Sequence, residues 1–83
     1  MSVSSYDTLA AALEERLRII ADRAWVARDA AGHLAALGAI SEEIEQLVAQ
    51  LPRPLPGELA HYLERRSYDK ALALLQTLLE KSS

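Results

Sequence analysis

A chain of 83 residues, 51% of them apolar, has the length of one small domain. Its net charge of −3 argues against a general binder of nucleic acid or anionic membrane, and the lack of cysteine excludes disulfides, thiolate metal sites and cysteine nucleophiles. The apolar share holds 15 Ala and no Phe beside 22 Leu, Ile and Val, so the core is thin and the domain stands to gain from pairing with another chain.

The first ten residues lack the basic and apolar regions of a secretory leader, and no apolar run is long enough to span a membrane. With no cysteine, a reducing compartment suits the chain and a cytoplasmic location is expected.

After a frayed start, Ser4 and Asp7 form a candidate capping pair. The spacing then predicts a helix from about Ser5 to about Arg28. Tyr6, Ala10, Leu13, Leu17, Ile20, Ala24 and Ala27 alternate by four and three, which is one helix face with a near-heptad repeat. Ala12, Ile19 and Val26 form a second, narrower stripe about 120° round the axis. Trp25 falls among Glu14, Arg18, Asp22 and Asp29, on the polar face. Either another element covers that face or Trp25 waits for a partner. Trp25, Ile19, Val26 and Ala12 are therefore the interface candidates.

Asp29 can cap a second helix, opened by Ala30, Ala31 and Gly32. The alternative is a first helix that runs on through it with a kink. The second helix is expected to reach about Leu51, with the cleanest stripe of the chain: His33, Leu37, Ile40, Ile44, Leu47 and Leu51, flanked by Leu34 and Val48. Gly38 lies off the stripe and weakens it. Together the two helices predict a long antiparallel hairpin resembling a coiled coil. Residues 29–51 carry four acids and no Lys or Arg, which would complement arginine-bearing neighbours.

Pro52, Pro54 and Pro56 lie in Leu51-Pro52-Arg53-Pro54-Leu55-Pro56-Gly57, and no regular helix passes through them. The stretch could serve as a polyproline ligand, but its place between two helical segments favours a stiff connector. Beyond it, Leu59, Tyr62, Leu63 and Arg66 mark a short helix from about Gly57 to Arg66. Tyr68, Ala71, Leu72, Leu75, Leu78 and Leu79 mark a last helix to about Lys81. On one straight helix the two sets would lie on nearly opposite faces, so a turn near Arg65–Ser67 is predicted, with Ser67 as N-cap.

Tyr62 followed by Tyr68-Asp69-Lys70-Ala71-Leu72 resembles part of a tetratricopeptide repeat, over about Leu55 to Leu79. Leu59 and Leu78 stand where that repeat has small residues, and only one unit is present, whereas such arrays stack about three. The resemblance implies protein–protein binding; the same pattern also follows from the packing of any helix–turn–helix.

Few residues suggest chemistry. His33, on an apolar stripe, could be a ligand, a pH-sensitive contact or a base, or simply a buried histidine with a local partner. Glu58-Leu59-Ala60-His61 reads E-x-x-H, which could build a carboxylate–histidine metal site only in a dimer, because one chain offers one motif. Arg53, Arg65, Arg66 and Lys70 form the only basic cluster, the basis for an alternative as a small nucleic-acid-associated regulator. The serines lie at termini or cap positions and no glycine-rich phosphate loop exists, so an enzyme, a cofactor and a small-molecule substrate are not expected.

The sequence thus predicts a single all-α domain: a small bundle with a helical hairpin over 1–51, a proline-rich connector over 52–57 and a helix–turn–helix over 58–83. Its expected role is an interaction module that forms a homo-oligomer or docks onto a larger protein.

Overall fold

The computed structural model describes residues 5–82. Among them are five helices and no strand: α1 (Ser5–Ala21), α2 (Arg23–Arg28), α3 (Ala30–Ala49), α4 (Gly57–Glu64) and α5 (Tyr68–Ser82). The chain is all-α, as its periodicity predicts. The Ser4–Asp7 cap lies outside the described residues.

The helix expected from Ser5 to Arg28 is two helices. Asp22 leaves the helical region at φ −80°, ψ 80°, and its carboxylate accepts the Trp25 N–H at 3.0 Å, which opens α2. Asp29 repeats the device: its Oδ1 accepts the Gly32 N–H at 3.0 Å and opens α3. Aspartate suits both places because a helix N-terminus has four N–H groups without intrahelical partners. Gly32 serves the second cap, since a Cβ there would collide with the Asp29 carboxylate.

α1 and α3 pack side by side. Ile19, late in α1, meets His33, early in α3; Thr8, early in α1, lines the same surface pocket as Glu43, late in α3. The two helices are therefore antiparallel, with α2 at the end that joins them. On another side α1 packs against α5, which in turn packs on α4. Sitting between two neighbours, α1 buries Leu9, Ala10, Ala12, Leu13 and Ile19. At about 100° per residue these take up about half of the helix circumference. The two stripes of the sequence are thus the two borders of one wide buried face, and Leu9, which belongs to neither, is its centre and fully buried.

Leu9, Leu13, Ile44, Leu59 and Leu75 are the largest fully buried side chains and tie α1, α3, α4 and α5 together. Burial of each contributes roughly 1.5–3 kcal/mol. After Ala49 the chain leaves the helix, buries Leu51 and exposes all three prolines, with a cis Arg53–Pro54 peptide. Pro56, at φ −53° and ψ 138°, precedes α4.

α4 ends in a Schellman motif. The Ser67 N–H donates to Tyr62 O at 2.8 Å and the Arg66 N–H to Leu63 O at 3.2 Å. Arg66 takes the left-handed position, φ 58°, that glycine usually fills. Ser67 O then accepts the Ala71 N–H at 2.9 Å as α5 begins, so the reversal falls where the opposed faces predict it.

Candidate interaction surface at the α2 end

The break at Asp22 determines the chemistry of this end. With α1 ended at Ala21, the Ile19 carbonyl has no regular helical donor. It accepts the Asp22 N–H at 3.2 Å and a hydrogen bond from His33 Nε2 at 2.6 Å. A carbonyl only accepts, so Nε2 carries the hydrogen. His33 is 9% exposed, and the Trp25 ring meets it edge-on, with centroids 5.6 Å apart and planes at 87°. This is a buried histidine with a local partner: it fastens the end of α1 to the start of α3 and gives Trp25 a surface to pack on.

The four interface candidates divide between the core and the half-buried face of α2. Ala12 and Ile19 are 7% and 8% exposed, inside the chain's own core, because α3 lies against their stripe. They offer no open surface to a partner. Trp25 is half-buried and packs against the core. Its place on the polar face assumed an unbroken helix, whereas α2 starts afresh at Asp22 and turns Trp25 toward His33. Val26 is half-buried.

The exposed apolar residues are others. Among the described residues the exposed large hydrophobic side chains are Leu17 (42%), Ile20 (40%) and Leu34 (70%), and all three lie at the α2 end. The Ile19–His33 contact sets the register and puts them at one level of the antiparallel pair. They also share a side. Ile20 is one turn beyond Arg16, whose guanidinium sits 5.0 Å from the centroid of the Tyr68 ring at the start of α5. Leu34 is three turns before Glu45, which pairs with Arg66 at 3.0 Å. The C-terminal helices thus cover the α1–α3 pair on this side further along, and the cover ends before Leu17, Ile20 and Leu34. By spacing alone Leu34 is a flank of the α3 stripe.

The remaining candidates are scattered. Glu58 and His61 are both exposed, with His61 tilted against Tyr62 at 5.9 Å. Among the described residues no group of three or more histidines and carboxylates is arranged to hold a metal ion. Of the basic cluster, Arg66 turns to Glu45, Arg53 donates to the Val48 carbonyl at a long 3.5 Å, and Lys70 lines a groove with Glu58 and Tyr62. No helix among the described residues is long and apolar enough to cross a membrane.

Fold and surface together define a small all-α bundle with an uncovered apolar end. Comparison of the chain with known protein families, with curated proteins and with solved structures finds no match.

Proposed function

We propose that the chain is a protein–protein interaction module whose contact surface is the α2 end. One observation supports this reading most: the exposed Leu17, Ile20 and Leu34 gather at one end and on one side instead of being dispersed. Single exposed apolar residues are ordinary, whereas a cluster is a usual mark of a binding surface. Half-buried Trp25 lies in the adjoining α2, and tryptophan held by packing is a frequent interface anchor. Self-association and docking onto a larger protein are both compatible with such a surface.

The test is site-specific photo-cross-linking in living cells, with the photoreactive residue at Leu34 or, as control, at exposed Glu42 near the other end of α3. Protein adducts at position 34 and few at 42 are expected. Equal yields, or none at 34, would remove the α2 end from consideration.

A further inference from the structure

We infer that the α2 end receives an acidic amphipathic helix from a different protein. The inference rests on the interaction reading above and names the occupant of the same surface.

The shape argues for a helix. Leu17 and Ile20 of α1 and Leu34 of α3, with half-buried Leu37, flank the seam between two antiparallel helices. Further along, on the same side, α5 packs on α1 and the turn between α4 and α5 reaches α3 through the Arg66–Glu45 pair. A helix laid beyond them continues a layer that the chain itself begins, with its own apolar stripe between the leucines.

The charge argues for acid. Residues 16–34 hold four arginines and two aspartates; with Arg18 neutralised by Glu15, residues 15–34 carry +1 on a chain of net −3, so the remainder carries −4. The two aspartates, Asp22 and Asp29, are already engaged by the N–H groups of Trp25 and Gly32. Arg23 and Arg28 are exposed and enter no ion pair among the described residues, while Arg18 is held by Glu15 at 2.6 Å. The apolar patch therefore adjoins a segment with two exposed arginines that enter no ion pair among the described residues, on an acidic molecule. A second copy docked patch to patch would bring two positive ends together. An anionic bilayer would meet the −4 of the remaining chain. A glutamate-flanked helix meets neither obstacle and gains from Arg16, Arg23 and Arg28 in both encounter rate and register.

The probe is a synthetic helical peptide of about 16 residues with leucines at i, i+3, i+4 and i+7 and glutamates beside them, against a twin with lysine for glutamate. Binding to the full chain is read from Trp25 emission and backbone NMR shifts. The glutamate peptide is expected to bind at least about tenfold more tightly than its twin, to weaken as salt rises, and to shift resonances at 17–34. Leu34→Glu and the pair Arg23→Glu, Arg28→Glu should each weaken it about tenfold or more with unchanged far-ultraviolet dichroism. Equal binding of both peptides, or none, overturns the inference. So does a concentration-dependent doubling of molar mass without peptide that Leu34→Glu abolishes, or tighter binding to phosphatidylglycerol vesicles than to the glutamate peptide. Self-association of that kind would leave the α2 end as the contact surface and change only its occupant.

Discussion

Along one face of α1 the same four-and-three repeat runs from Tyr6 to Ile20, yet its two halves have different surroundings. Ala10 and Leu13 are 6% and 1% exposed, beneath the C-terminal helices, whereas Leu17 and Ile20 are 42% and 40% exposed. α3 shows a like contrast in reverse chain order along the flank of its stripe: Val48 is half-buried and Leu34 is 70% exposed. Along this face of α1 the two halves carry apolar side chains at the same helical phase and differ in cover. Periodicity reports which face of a helix is apolar; how far along that face a neighbour extends depends on elements distant in the chain.

The sharpest way to break this comparison is to truncate one leucine at each end. Leu9→Ala removes a fully buried side chain between two helices and should cost about 2–5 kcal/mol, enough to unfold much of so small a domain. Leu17→Ala, on the same helix, should stay within about 0.5 kcal/mol. Paired urea titrations followed by dichroism decide it, and similar losses at both sites would mean that the α2 end is as tightly packed as the core.

His33→Ala probes the hydrogen bond that ties α1 to α3 at the α2 end. It takes a donor from the Ile19 carbonyl and the packing surface from Trp25, for an expected loss of about 1–3 kcal/mol. Trp25 emission should move to longer wavelength in the folded variant; unchanged emission would show that Trp25 is held by something other than His33.

The smallest effects come from two glycines of α3 and should differ in sign. Gly38→Ala meets no atom within 4 Å and should stabilise by up to about 1 kcal/mol, the usual helix-propensity gain. Gly32→Ala drives a methyl into the Asp29 carboxylate and should destabilise by about 1 kcal/mol through loss of the cap. Thermal melts of the two variants should therefore shift in opposite directions; a rise at both positions would count against the Asp29 cap.

What the sequence revealed and concealed follows from the range of each signal. The Asp29 cap, the α3 stripe and the reversal before α5 are local, and each was legible. Asp22 was not, because Leu17, Ile20, Ala24 and Ala27 keep their phase across it and hide the break. The two stripes of α1 suggested a core face and a spare face because nothing local says that one helix will be wedged between two others. Ala12 and Ile19 border that one wide face, and Leu9, in neither stripe, is its centre. Arg66 gave no hint of a left-handed position, since the usual glycine is absent. The exposed trio was concealed for the opposite reason: Leu17 and Ile20 read as core by spacing, and only the point where the C-terminal helices stop distinguishes them from Leu13.

The two aspartate caps make α2 a unit that can open by itself. α2 is six residues long, contains no buried residue and is separated from its neighbours by a cap at each end. A helix of that length has little stability of its own. Its opening requires loss of the Asp22 and Trp25 contacts but not of the main core. Amide protons of residues 25–28 should therefore exchange with deuterium through local opening, while those of Leu13 and Ile44 wait for global unfolding. The contact surface adjoins the segment that yields first, so an occupant bound across it would register as slowed exchange in α2 before any other part of the molecule responds.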